Sequence, residues 1–206
     1  GLHKVQHGDV MKGLDHLMQL EKADLIYSDP PWGQGNLRYW KTINKRMTGE
    51  ESADINFNDF ISNFFELVTK YSKDKVILEY GCNWSDVIEN AADRFGFKYN
   101  GKVIVYYKAG SAMRPCDIHF LSKNSELKLT EELASQCAKK QNLSLVDYIF
   151  KYLKVEKDQI CLDPMCGMGF TAQAAMNNEM QFRGNELNKA RLAKTIKRLQ
   201  NENLSK

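Results

Sequence analysis

The chain has 206 residues, which gives one domain by the usual length prior and lets it bury roughly 70% of its unfolded surface. Hydrophobic residues make up 43% and charged residues 27%, which excludes wholesale disorder, and no apolar run approaches the length of a membrane span. A net charge of +3 permits nucleic acid as a partner without arguing for it, and five cysteines without a Cys-x-x-Cys pair point away from a disulfide framework and toward a reducing cytoplasm.

In chain order, Lys4–His7 and residues 24–28 read as strands, short and rich in β-branched or aromatic residues. Residues 33–56 follow as a long polar stretch that reads as an irregular loop, the kind that carries function in compact domains. Phe57, Phe60, Ile61, Phe64, Val68 and Tyr71 then recur at helical spacing, which makes them one buried helix face rather than a platform for a cofactor ring. Further strands are predicted at 76–80, 102–107, 117–121, 160–162 and 181–184. The connection holding Gly110 and Pro115 is too short for a crossover helix, so 102–107 and 117–121 form an antiparallel hairpin. Residues 122–141 read as a partly helical excursion through Leu127, Leu129, Leu133 and Cys137, and a closing amphipathic helix spans 188–203. The alternation predicts one α/β domain over 1–206: a doubly wound, mostly parallel seven-stranded sheet with one antiparallel edge hairpin.

The sharpest chemical feature is Asp29-Pro30-Pro31-Trp32, directly after the strand at 24–28. Ligands of open α/β sheets bind at such strand ends. Two prolines fix φ near −65° and donate nothing, so the Asp29 carboxylate and the Pro30 carbonyl become fixed acceptors with Trp32 as a flat wall. Two acceptors and a stacking face suit an exocyclic amine on a planar base. The same tetrapeptide also serves as a simple turn with Trp32 in the core, and the decision rests on what accompanies it.

Residues 160–169 run from a strand through Asp163, Pro164, Met165 and Cys166 into Gly167-Met168-Gly169, with a helical pattern after it. Glycines there allow close backbone approach to a ligand at a helix N-terminus. The next strand delivers Glu186, about 20 residues after the glycines, where an acidic side chain accepts from the ribose hydroxyls of a nucleoside cofactor.

Asp29-Pro30-Pro31-Trp32 and the later Asp163-to-Gly169 segment together resemble the S-adenosylmethionine-dependent amino-methyltransferases that modify adenine N6 or cytosine N4 in DNA. The catalytic motif precedes the cofactor motif, as in the permuted β group of that family. His7-Gly8-Asp9-Val10 resembles the family's opening strand end, and Gly184-Asn185-Glu186-Leu187-Asn188 its ribose segment. The resemblance implies a Rossmann-like fold, S-adenosylmethionine as cofactor and no metal. It implies catalytic roles for Asp29, Pro30 and Trp32, and cofactor contacts from Asp9, Val10, Asp163, Met165, Cys166, Gly167, Gly169, Glu186 and Asn188. Met168 and Phe170 stand where the family carries small or hydroxylated residues. Residues 122–141 would be at most a reduced target-recognition insertion. Asp29, where cytosine N4 enzymes more often have serine, favours adenine N6 in DNA. The alternatives are RNA adenine N6, DNA cytosine N4, or a partner subunit that keeps the fold without the activity. Homodimer or partner-subunit assembly stays open.

The stretch after the catalytic motif interleaves Arg38, Lys41, Lys45 and Arg46 with Tyr39 and Trp40. Cations for phosphate and rings for stacking are what nucleic-acid contact requires, so Trp32, Arg38, Tyr39, Lys41, Lys45 and Arg46 are the candidate substrate contacts. The cations between 188 and 203 read as a solvated helix face. The four histidines show no metal-ligand spacing.

Overall fold

A computed structural model describes residues 2–49, 51–52 and 54–200. Seven strands form one sheet: β1 (Lys4–His7), β2 (Ala23–Ser28), β3 (Ser72–Tyr80), β4 (Lys98–Ala109), β5 (Ala112–Ser122), β6 (Ile160–Asp163) and β7 (Gln181–Glu186). Their spatial order is β1-β7-β6-β2-β3-β5-β4. All pairings are parallel except those of β5, which runs antiparallel to both β3 and β4. The doubly wound sheet and its antiparallel hairpin are thus as the sequence predicts.

Strand residues alternate between two cores, as a two-residue period requires. Ile26, Val76, Leu78 and Leu162 face α3 (Phe57–Tyr71) and α4 (Ser85–Arg94) together with the short α1 (Asp15–Met18). Leu25, Tyr27, Ile77 and Cys161 face α5 (Glu131–Cys137), α6 (Asn142–Tyr152) and α7 (Phe170–Asn177) on the other side. The helix α3 buries Phe57, Phe60, Ile61, Phe64, Val68 and Tyr71, and Asn56 caps it by accepting from the Asp59 amide at 3.0 Å. The ring stripe is core.

Three expectations need correction. Most of 33–56 is helix: α2 spans Gln34–Thr48, entered through Gly33 and stopped by Gly49 in the left-handed conformation. Gly33 has φ +94°, and a Cβ there would lie 2.1 Å from the Trp84 ring, so no other residue can start the helix at this point. The inner stripe of α2 is Leu37, Trp40, Lys41 and Asn44, too polar to produce a hydrophobic period. Second, the hairpin turn is confined to Gly110 and Ser111, and Pro115 lies within β5 opposite Tyr106. Pairing of β5 with β3 begins only at Asp117, so a residue without an amide proton is tolerated on the open side. Third, the closing helix α8 is Lys189–Gln200, and residues 201–203 of the predicted span lie outside the described residues.

Residues 122–141 contribute α5, capped by the Thr130 hydroxyl, which accepts from the Leu133 amide. Leu133 and Cys137 are fully buried in the core beside the sheet. No described helix is long and apolar enough to cross a membrane, and all five cysteines are free thiols.

Candidate active site

The parallel strands β1, β7, β6, β2 and β3 all end on one edge of the sheet. Strand succession runs in opposite directions from the adjacent parallel strands β6 and β2, with β7 added on one side and β3 on the other. That is the switch point where open α/β sheets bind ligands. A cavity of about 710 Å³ opens there, within the usual size range for small-molecule sites. It brings together Asp9 and Val10 after β1, Asp29, Pro30, Pro31 and Trp32 after β2, and Asp163, Met165, Cys166 and Gly167 after β6. Glu186 at the end of β7 joins them.

The Asp29 segment is held on three sides. The Tyr80 hydroxyl donates to the Pro31 carbonyl at 2.8 Å, and the Asn36 side chain accepts from the Trp32 amide at 3.0 Å. The Trp32 indole N–H donates to Asp29 Oδ1 at 2.9 Å, while its ring meets Tyr107 edge-on at 5.5 Å. Trp32 therefore orients the carboxylate as well as walling the cavity. Asp29 lines the cavity and is exposed to it. The protein around the strand end, which keeps water from part of the carboxyl, pushes it above the usual range, the Glu79 carboxyl pushes it further, and the bond from Trp32 opposes both.

The second half of the site is a turn tied to its neighbours. Glu186 accepts from the Gly167 amide at 2.9 Å through Oε2 and from the Asn188 amide at 2.8 Å through Oε1. Each oxygen keeps a second lone pair for a hydroxyl donor. Gly169 begins α7 with φ +79°, and a Cβ there would come within 2.8 Å of the Thr195 backbone on α8. Thr195 in turn donates to the Gly167 carbonyl at 3.1 Å, and Arg198 Nε donates to the Met168 carbonyl at 2.8 Å. The Asp9 carboxylate accepts from the Met11 amide at 3.0 Å and shapes the single 3₁₀ turn after β1.

Burial pushes the Asp163 carboxyl up to about 7, against hydrogen bonds from Thr171 and the Met165 amide. A buried acid that holds its proton more tightly when folded stabilises the fold at low pH and loses that contribution as pH rises through about 7. Asp163→Asn is therefore expected to raise Tm at about pH 8 and to leave it unchanged near pH 4. Calorimetric melts of the ligand-free protein check this, and an equal shift at both values would deny the linkage.

Several expected residues stand elsewhere. Asn188 is fully buried away from the cavity lining, where it caps α8 by accepting from the Ala190 and Arg191 amides and donates to Asn44 of α2 at 3.1 Å. Gly169 lies behind the turn, packed on α8, rather than in the lining. Of the candidate substrate contacts, Trp32 and Lys41 line the cavity, and Arg38, Tyr39, Lys45 and Arg46 are exposed along α2 outside it. Lys41 pairs with Asp54 at 2.8 Å and Lys45 with Glu51 at 2.6 Å.

Glu79 and Arg191 are charged lining residues that no motif marks. Glu79 is the penultimate residue of β3, a carboxylate signalled only by its place near the end of a predicted strand. Arg191 of α8, which the sequence places on a solvated face, stacks on Trp40 at 4.0 Å and joins α8 to α2 over the cavity. Among the described residues no group of His, Cys, Asp and Glu is arranged to hold a metal.

No family model and no curated protein sequence matches this chain. Solved structures match over nearly its whole length. M1.HpyAVI is 19% identical with a TM-score of 0.60, covering 95% of this chain and 98% of its own. TTHA0409 from Thermus thermophilus, described as a putative DNA modification methylase, is 17% identical with a TM-score of 0.66, covering 97% and 95%. The cytosine-N4-specific PvuII DNA methyltransferase is 14% identical with a TM-score of 0.66, covering 95% and 86%. M1.HpyAVI and TTHA0409 have also been solved with S-adenosylmethionine bound. At these identities the likeness is one of fold: the chain has the architecture of these proteins over nearly its whole length.

Proposed function

We propose that the protein transfers a methyl group from S-adenosylmethionine to the N6 amine of adenine in DNA. The observation that carries this reading is the meeting of Asp29-Pro30-Pro31-Trp32 and the Asp163–Gly167 turn in one cavity, on adjacent strands at the switch point of the sheet. Bound there, S-adenosylmethionine supplies a methyl group carried on a sulfonium sulfur.

The residues present fit such a group. Asn185 donates through Nδ2 to the Gly8 and Pro164 carbonyls, which fixes its orientation and leaves Oδ1 buried without a partner at the cavity wall. A buried acceptor without a donor is costly, and a polar ligand removes that cost. Glu186 would take the ribose hydroxyls, Asp9 and Val10 the base edge, and Asp163, Met165, Cys166 and Gly167 the amino-acid end.

An aromatic amine is a poor nucleophile because its lone pair is delocalised into the ring. Acceptance of its N–H groups by the Asp29 carboxylate and the Pro30 carbonyl favours a pyramidal nitrogen with the lone pair directed at the methyl carbon. Asp29 stabilises the charge that develops and holds the proton released afterwards. In a duplex the base must first leave the stack, at a cost of a few kcal/mol that a Trp32 contact partly offsets.

Adenine is preferred to cytosine because Asp29 occupies the place where cytosine N4 enzymes of this pattern more often carry serine. The fold shared with the PvuII enzyme supports cytosine N4 as the second reading. Mass spectrometry of nucleosides from DNA and RNA incubated with protein and cofactor tests both. N6-methyladenine from DNA is expected. N4-methylcytosine would move the assignment to the second reading, methylated RNA alone to an RNA substrate, and cofactor binding without product to a partner subunit.

The cations of α2 support DNA as the substrate: Arg38, Lys45 and Arg46 on its exposed face and Lys41 at the cavity. The ion pairs of Lys41 and Lys45 are solvent-accessible and worth little, so both exchange carboxylates for phosphates at small cost. Replacing Arg38, Lys41, Lys45 and Arg46 by alanine should weaken DNA binding and flatten its salt dependence, by about 0.9 in the log–log slope per lost duplex contact. Cofactor affinity should hold. A slope equal to wild type would return this face to solvent.

A further inference from the structure

Tyr80, the last residue of β3, lies opposite Asp117 of β5, which in turn lies opposite Ile104 of β4. Beyond that level β4 continues through residues 105–109 and β5 through 112–116 as a two-stranded ribbon, closed by the turn at Gly110 and Ser111. Five residues on each strand carry the ribbon about 17 Å past the edge of the sheet on which the cavity opens. It rises beside Trp32, whose ring meets Tyr107 at 5.5 Å, and Tyr106, Tyr107 and Lys108 line the cavity. Near the tip, the Gln141 side chain at the start of α6 donates to Met113 Sδ at 3.8 Å. Strand alternation turns Val105 and Cys116 into the core and leaves Ile104, Tyr106, Lys108 and Met113 on the outer face. Ile104 and Met113 are 49% exposed and Tyr106 42%. From 98 to 116 the chain has four cations and no carboxylate. Lys98 and Lys102 pair with Glu126 and Asp117 farther down the strand, whereas Lys108 and Arg114 stand exposed toward the tip.

We propose that the tip of this ribbon enters the major groove of duplex DNA, where Lys108 and Arg114 donate to base edges and Tyr106 and Met113 pack on thymine methyl groups. The choice of partner rests on the DNA methyltransferase reading above. A base delivered to Asp29 brings its duplex against whatever stands beside Trp32, and the ribbon stands there. The major groove, about 12 Å wide, admits a two-stranded ribbon and displays both the acceptors of guanine and the methyl group of thymine. The undistorted minor groove, at about 6 Å, does not admit one, and the major groove of an RNA helix is too deep and narrow for side chains to read. A stretch with cations and no carboxylate is complementary to groove walls lined by phosphates. The exposed apolar side chains then have a counterpart in the methyl groups on the groove floor. Phosphate contacts from α2 hold any sequence, and the ribbon distinguishes one sequence from another.

The test reads binding and needs no activity. Duplexes with a randomised centre are enriched on the wild-type protein. The enriched pool is then copied with plain pyrimidines and with pyrimidines carrying a glucosylated hydroxymethyl group at C5, which fills the major groove and leaves the phosphates unchanged. The wild type should bind the filled-groove pool more weakly by about tenfold or more. Met113→Ser/Arg114→Ser changes two exposed residues outside the cavity lining, and a melt confirms its fold. This variant should bind the plain pool about tenfold more weakly than the wild type and lose most of the discrimination between the pools. Equal binding of the two pools by the wild type overturns groove entry, and this arm needs no variant. Full discrimination retained by the variant overturns it too, because another element then reaches the groove. So does tighter binding of duplex RNA than of the plain pool. Altered sedimentation of the variant with unchanged DNA affinity would make the outer face a contact between copies of the chain, and the proposal would fall. If no nucleic acid is methylated yet the wild type separates the pools, the function proposed above fails and the groove contact stands. If DNA is methylated and the pools bind alike, the function stands and the groove contact fails.

Discussion

Asp29→Ala is expected to reduce methyl transfer by on the order of 10²–10³ in kcat, or more, while S-adenosylmethionine binds within a few-fold of its wild-type affinity. The carboxylate is fixed by the Trp32 indole and by a backbone without freedom at Pro30 and Pro31, so nothing nearby can swing in to replace it. Glu79 also lines the cavity, but it is fixed within the adjacent strand β3, and its carboxyl accepts from Tyr27. Asp29 is exposed at the cavity and its side chain accepts one hydrogen bond, from Trp32, so the Tm of the variant is expected to change little. The contrast of lost rate, intact cofactor binding and intact fold separates catalysis from folding. Single-turnover transfer, calorimetry with the cofactor and a melt measure the three. A variant that keeps most of its rate would sink the assignment of Asp29, and one that loses cofactor affinity in parallel would move it to the cofactor half of the site.

The parts of this molecule that were legible in the sequence are those whose local rule and tertiary role agree. The strand at 24–28 and the α3 stripe declare themselves by period, and the motif at Asp29 and the glycine turn at 167–169 by chain geometry that few other residues can adopt. The α2 helix was hidden for the opposite reason. Its inner face meets a polar cavity and the buried amide of Asn188 rather than an apolar core, so Asn44 and Lys41 occupy positions where a pattern search expects leucine. Gly33 and Gly49 did mark its ends, but only with the structure in hand does the clash at Trp84 explain the first of them. The resemblance of residues 184–188 to a ribose-binding segment implies a ligand contact from Asn188, whereas its side chain is spent on capping α8. Arg191 and Glu79 were missed because sequence position does not reveal which face of a helix or which side of a strand end borders a cavity. A helix of mixed cations looks solvated throughout, yet Arg191 and Arg198 both turn back onto rings, at 4.0 Å and 4.7 Å.

Glu186→Ala is expected to weaken cofactor binding by about one to two decades in Kd, the roughly 1.5–3 kcal/mol of a charge-assisted hydrogen bond. The structure adds a second consequence. The two carboxylate oxygens hold the Gly167 and Asn188 amides, so alanine removes the link between the glycine turn and the start of α8 together with the ribose contact. Glu186 is 6% exposed, and both amides would be left without their acceptor in a nearly closed setting. A fall in Tm should therefore accompany the fall in affinity. Glu186→Gln divides the two effects. One amide oxygen can still accept from either backbone N–H, but its NH₂ group meets the other as donor against donor. The glutamine variant should thus recover part of the stability and little of the affinity. DNA binding should change least, because the exposed cations of α2 are anchored through Asn44 and Trp40 rather than through Glu186. Calorimetry with S-adenosylmethionine, a melt and a DNA titration on both variants read these out. If the alanine variant keeps its cofactor Kd and loses only stability, Glu186 is a brace for the turn and the ribose must be held elsewhere along the cavity.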